Sequence, residues 1–141
     1  MRLLVLCVGK VRERPLRESV AEYLDRLQHY LPTELCELRD AEAALARVPE
    51  RYLLCALDEH GAEWTSVELK RFVEGEMNHG RAGIAFLIGG AEGLPAPVLA
   101  RAARKLSLSR LTLPHRLARL VLVEQLYRVA TMIRGEPYHK E

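Results

Sequence analysis

Two segments near the carboxyl end carry residue types and spacings suited to chemistry. In Lys105-Leu-Ser-Leu-Ser-Arg-Leu-Thr-Leu-Pro-His115, hydroxyls at Ser107, Ser109 and Thr112 are separated by Leu108, Leu111 and Leu113. Such leucines can wall a flat aromatic ring while backbone amides and carbonyls read its edge, the usual composition of a small-molecule pocket. The alternation fits an edge strand with two unlike faces equally well. The other segment is the tail Gly135-Glu-Pro-Tyr-His-Lys-Glu141, which ends on titratable groups. Upstream of both lies Leu87-Ile-Gly-Gly-Ala-Glu-Gly-Leu94, and from Gly93 to Val123 six Arg or Lys occur with no Asp or Glu. One-signed charge beside a glycine-lined turn suits a polyanion partner next to a ligand pocket.

The elements that would position these residues are legible from hydrophobic period. Leu3–Val8, Leu53–Leu57 and Ile84–Ile88 are continuously apolar, as strands covered on both faces are. A short strand is expected around Glu34–Leu38. Residues 15–31 carry apolar side chains at helical spacing, with Pro15 in the first turn and Pro32 closing it. Thr65-Ser-Val-Glu68 has the form of a capping box opening a helix to about Asn78. From His115 a long helix has a broad apolar stripe (Leu117, Leu120, Val121, Val123, Leu126, Tyr127, Ala130, Ile133), with Arg116, Arg119 and Arg128 interleaved. That stripe is wide enough to cover the sheet or to meet a second copy of itself. Glu124 and Arg128, four apart, read as a helix-surface ion pair.

Strands alternating with helices predict an α/β domain with a mainly parallel sheet covered by helices. Ligands on such sheets bind beyond the carboxyl ends of the strands, where Gly89-Gly90 would sit. A Gly-Gly turn there is also an ordinary turn. With neither Gly-x-Gly-x-x-Gly nor Gly-Lys-Ser/Thr in the chain, a Rossmann or P-loop site has little support.

At 141 residues with 49% hydrophobic content the chain is expected to form one domain over residues 1–141. A net charge of only +2 means that nucleic-acid affinity must come from local clustering. Cys7, Cys36 and Cys55 show no metal-ligand spacing, nor do His29, His60, His79, His115 and His139, so free buried thiols and no metal are expected. No apolar stretch approaches a membrane span, and the amino terminus lacks the form of a signal peptide; a cytoplasmic protein with no membrane contact is expected.

Leu87–Leu94, Leu106–His115, Val123-Glu-Gln-Leu-Tyr-Arg128 and Arg134–Glu141 together closely resemble the RlmH family, and the likeness runs from the opening Leu6-Cys-Val-Gly-Lys10 to the last residue. These are bacterial methyltransferases of the SPOUT class that act on N3 of a pseudouridine in 23S rRNA. The resemblance implies a C-terminal trefoil knot, a homodimer, and S-adenosylmethionine held bent in the knot. Carried over, the donor would touch Leu57, Gly89 and the loop Leu108, Ser109, Arg110, Leu111, Thr112 and Leu113. It implies 23S rRNA as partner, within the large subunit or the assembled ribosome.

The reaction requires loss of the N3 proton as the nitrogen attacks a sulfonium methyl in line, so positioning should supply much of the rate, with a base assisting. His139 and Tyr138 are candidates from the tail, placed over a partner's pocket by a dimer; His115 is a second base candidate, and Arg119 and Arg128 could hold phosphate or base oxygens. Ala91 stands where relatives often carry Pro or Ser, and residues 38–51 form a shorter segment than in many relatives, into which no functional residue is carried. Two other classes compete. One is a non-catalytic RNA-binding ribosome-assembly module on a knotted scaffold; the other is a small-molecule nucleotide enzyme built on the glycine turn.

Overall fold

A computed structural model describes residues 1–140. Five strands, β1 (Arg2–Val8), β2 (Thr33–Leu38), β3 (Tyr52–Glu63), β4 (Gly83–Ile88) and β5 (Arg104–Ser107), form one sheet in the order β2-β1-β4-β3-β5. Every pairing is parallel. The helices that make this possible are α1 (Arg14–Gln28), α2 (Ala41–Ala46), α3 (Ser66–Asn78), α4 (Ala96–Leu99) and α5 (His115–Ile133), and a 3-10 turn at Pro137–Lys140 follows.

Side-chain alternation along the strands divides the core into two layers. Leu3, Val5, Cys7, Leu53, Cys55, Ile84, Phe86 and Ile88 face α1, α3 and α5, meeting Leu27, Leu69, Val73, Leu122, Leu126 and Val129. Leu4, Leu6, Leu54, Ala85 and Leu87 face Ala44 of α2 and Val98 of α4. All six residues of the central β4 are buried, which accounts for its unbroken apolar run. α5 lies between α1 and α3 on the first face.

The expected helix at 15–31 spans Arg14–Gln28, with Pro15 in its first turn. The expected capping box is present: the Glu68 amide donates to Thr65 Oγ1 at 3.1 Å, and the Thr65 amide donates to Glu68 Oε1 at 3.3 Å. The segment 38–51 carries α2, capped by the Asp40 carboxylate accepting from the Ala43 amide at 2.7 Å. Burial pushes the Cys7 and Cys55 thiols up to about 12, as inert core groups. Cys36 departs from the expectation of full burial, since β2 is an edge strand that leaves it half-exposed. No helix among the described residues is long and apolar enough to cross a membrane.

β3 runs much further than Leu53–Leu57. Leu57 and Ala62 both align with Leu106 of β5, so residues 58–61 bulge out of the ladder. Gly61 permits the return, because a Cβ there would lie 2.6 Å from the Lys105 carbonyl carbon. Asp58, Glu59 and His60 are thereby turned outward at the carboxyl end of the sheet.

Candidate functional site

Beyond the carboxyl ends of β3, β4 and β5 opens a cleft of about 840 Å³. Two loops wall it: residues 89–94 after β4, and residues 108–114 between β5 and α5. Leu57, Ile88, Leu106, Leu108 and Leu113 supply apolar surface, the bulge adds Asp58, Glu59 and His60, and the first turn of α5 adds His115 and Arg116. Of the residues expected to touch a donor, Leu57, Gly89, Leu108, Ser109, Leu111, Thr112 and Leu113 line the cleft. Arg110 is turned outward, its Nε 3.7 Å from the Glu63 carboxylate, with both side chains exposed.

The loop between β5 and α5 is part strand and part pocket wall. Leu106 and Ser107 end β5 and already line the cleft, and the loop wall continues from Leu108. Two hydroxyls brace the loop rather than face a ligand: Ser107 donates to the Ser109 carbonyl at 3.0 Å, and Ser109 Oγ accepts from the Leu111 amide at 2.9 Å. This holds the wall in shape before anything binds. Leu111 stands 76% exposed at the lip, unusual for a large apolar side chain unless something covers it.

The glycine turn works differently from the expectation that Gly89 leaves room for a ligand. A Cβ on Gly89 would meet the Gly93 carbonyl carbon at 2.6 Å and its oxygen at 2.8 Å, so the missing side chain lets the turn close on itself. The Gly93 amide closes that turn on the Gly90 carbonyl at 2.9 Å, with Gly93 at φ +74°. Gly90 is the glycine with space: a Cβ there would meet nothing closer than Val8 at 3.5 Å.

The expected catalytic residues fall in three places. His115 stands at the cleft mouth. Arg119, one turn further along α5, does not reach it. Its guanidinium is buried, donating from Nη1 to Glu37 and from Nη2 to the Gly9 carbonyl at 3.1 Å. Arg119 is therefore a structural tie between α5, β1 and β2, not a group presented to substrate. Glu37 also accepts from the Val11 amide at 3.0 Å. Burial works to raise its carboxyl, but the bonds from Arg119 and Val11 outweigh it and hold the pKa below the ordinary value.

Arg128, Tyr138 and His139 lie with the tail. Arg128 Nη2 donates to Glu124 at 2.8 Å, and its guanidinium sits 5.0 Å from the centre of the Tyr138 ring. The Tyr138 ring packs on Tyr127 at 4.6 Å. Burial, reinforced by the bond to Glu124, raises the phenol's pKa well above its ordinary value, so Tyr138 is a donor and not a phenolate base. His139 is exposed. Tyr127 lies twelve residues beyond His115, roughly 18 Å along the helix axis. The tail is thus well removed from its own chain's cleft.

Sequence reasoning missed the bulge residues, Glu92 and Arg116. The signal for the bulge was Gly61 closing an Asp-Glu-His run after an apolar strand. Arg116 had no such signal, because its partner Glu13, at 3.5 Å, is over a hundred positions away. Among the described residues, no group of three His, Cys, Asp or Glu side chains is arranged to hold a metal ion.

The comparisons agree with this geometry. Solved structures with the same fold include a probable methylase family protein from Haemophilus influenzae Rd KW20 (TM-score 0.59, 13% identity, 99% of this chain and 70% of that one). Another is a probable methyltransferase from Bordetella pertussis Tohama I (TM-score 0.59, 13% identity, 92% and 96%). Among curated proteins, the chain is 47% identical to "Ribosomal RNA large subunit methyltransferase H" of Anaeromyxobacter sp. (strain Fw109-5), over 99% of this chain and 100% of that one. It is 46% identical to the protein of that name from Sorangium cellulosum (strain So ce56), over 98% and 99%. A family model described as "Predicted SPOUT methyltransferase" matches residues 1–139, and the chain belongs to that family.

Proposed function

We propose that this chain, acting as a single domain over residues 1–141, is an S-adenosylmethionine-dependent methyltransferase that methylates N3 of a pseudouridine in 23S rRNA of the large ribosomal subunit. The observation that carries the reading is the cleft at the carboxyl ends of β3, β4 and β5, walled by two loops separated in sequence and adjacent in space. Its size suits a nucleoside-sized ligand, and its apolar walls suit an adenine ring. Asp58, Glu59 and Glu92 supply negative charge at the rim, suited to ribose hydroxyls and to a sulfonium. The residues present therefore fit the donor, which supplies an activated methyl group and a neutral leaving thioether. A trefoil knot threading residues 89–94 and 108–114 past each other belongs to this reading.

The chain's own residues have three tasks. Leu108, Leu111 and Leu113 exclude water and orient the donor. The braced loop and glycine turn hold the transfer distance, from which much of the rate derives. A proton must also leave N3. His115 is the acceptor within the chain; Tyr138 and His139 reach a cleft only from a second copy, given the length of α5. The exposed Leu117 and half-buried Leu120 and Val121 provide a stripe for that homodimer. A catalyst of ribosomal RNA works where ribosomes are, in the cytoplasm.

The test is methyl transfer to free 23S rRNA, large subunits and assembled ribosomes, with the product nucleoside identified by mass. Transfer to a pseudouridine N3 is expected. Calorimetry with S-adenosylmethionine accompanies it: no donor binding and no transfer would leave the non-catalytic assembly module as the better account. Donor binding without any salt-sensitive RNA binding would favour the small-molecule enzyme.

A further inference from the structure

We propose that Lys10 and Arg12, on the connection from β1 into α1, and Arg17, in the first turn of α1, form a phosphate-contacting rim that seats the RNA beside the donor cleft. The inference rests on the methyltransferase reading for its substrate, but on separate residues for its contacts.

The segment leaves β1 at the carboxyl end of the sheet, through Gly9 at φ +91°. From Lys10 to Glu18 it holds four cations and two carboxylates, Glu13 and Glu18. Both carboxylates are engaged: Glu13 with Arg116 at 3.5 Å, and Glu18 with Arg14 at 3.0 Å. Lys10, Arg12 and Arg17 are exposed and have no ion pair among the described residues. The surface therefore presents three positive charges that no bonded carboxylate neutralises.

Its position follows from the contacts of Glu13. Arg116, its partner, lines the cleft and adjoins His115. A strand of RNA placing one nucleotide at His115 would run its neighbouring phosphates toward this rim.

The backbone is also held rigid from below. Val11 is buried, and its amide donates to Glu37; Arg119 grips both Glu37 and the Gly9 carbonyl. A loop fixed in this way loses little entropy on binding. This gives the buried Arg119–Glu37 pair a purpose that its distance from the cleft leaves unexplained.

A second copy of the chain is the weaker occupant. A two-fold interface centred on this rim would bring its cations against their own equivalents.

The experiment is binding of the full chain to 23S rRNA and to large subunits over a series of salt concentrations. The variant is Lys10→Gln/Arg12→Gln/Arg17→Gln, and the control is Arg2→Gln/Arg51→Gln, which removes exposed cations at the amino-terminal ends of β1 and β3, the opposite edge of the sheet from the cleft. For every phosphate that a cation no longer neutralises, the slope of log affinity against log salt should flatten by roughly 0.7–0.9. The rim variant is expected to flatten by about two to three times that amount, with the control unchanged and S-adenosylmethionine affinity unchanged in both. An unchanged slope in the rim variant, or an equal flattening in the control, overturns the proposal. So does a change in sedimentation of the rim variant without RNA, which would make this surface a contact between copies. Salt-sensitive binding through the rim in a chain that transfers no methyl group would remove the enzymatic reading and leave the rim standing.

Discussion

The Tyr138 hydroxyl donates to Glu124 Oε2 at 2.8 Å, and Arg128 Nη2 donates to the same oxygen at 2.8 Å. One carboxylate on α5 thus gathers two of the tail-side groups proposed to serve the chemistry. Tyr127 supplies the surface on which the Tyr138 ring rests.

Replacing Tyr138 by Phe keeps that ring contact and removes the bond. The loss of stability should be modest, about 0.5–1.5 kcal/mol, because the residue is only half-buried. Hydrogen exchange in Gly135–Lys140 should rise, and methyl transfer should fall while donor affinity holds. Transfer equal to that of the unaltered chain would show that the hydroxyl has no part in the reaction.

Gly89 and Gly90 are adjacent, yet they should respond oppositely to the same substitution. Gly89→Ala drives a Cβ into the Gly93 backbone and should cost about 1–3 kcal/mol of stability. Gly90→Ala meets only Val8 at van der Waals distance, so its unfolding free energy should stay within about 0.5 kcal/mol of the parent. Because Gly90 lines the cleft, its new methyl group should instead weaken S-adenosylmethionine binding in calorimetry. A stable Gly90→Ala that binds the donor normally would place the ligand elsewhere.

Glu37 links stability to pH with a definite sign. Its folded pKa lies below the ordinary value of 4.5, so the carboxylate's contribution is complete above that value. It is lost as pH falls through the lowered folded value. Denaturant titrations from pH 6 down to pH 3 should show the parent losing stability more steeply than Glu37→Gln over the acid end of that range. Parallel curves would mean that the bonds from Arg119 and the Val11 amide do not favour the charged form.

The capping box of α3 can be measured without touching the cleft. Thr65→Ala leaves the Glu68 amide without its acceptor and should cost about 1 kcal/mol in denaturant unfolding. Adding Glu68→Gln, which keeps an oxygen able to accept from the Thr65 amide, should add little. A Thr65→Ala variant as stable as the parent would mean that water replaces the cap.

Much of this architecture was written in the local pattern. Continuous apolar runs located β1 and β4, because a strand covered on both faces has no polar register. Pro15, Pro32 and Thr65 located the ends of α1 and α3, because capping and proline geometry act within a few residues. Of the residues that the resemblance carried by the motifs at 87–94, 106–115, 123–128 and 134–141 implies for the donor, all but Arg110 line the cleft; Arg110 faces Glu63.

Contacts between distant positions were decided only by the folded chain. The extension of β3 past its bulge depends on Gly61 lying against Lys105, a partner more than forty residues away. In sequence Arg119 is a candidate to hold phosphate or base oxygens; in the folded chain its guanidinium is buried against Glu37 and the Gly9 carbonyl. Gly89 lines the cleft, but that its missing side chain is what lets the turn close on Gly93 is invisible in sequence, where a glycine's freedom shows and the backbone crowding it does not. Sequence period and capping are short-range and fix which elements form. Which charges end up paired, and which glycines are crowded, depends on packing between segments that meet only when the sheet assembles.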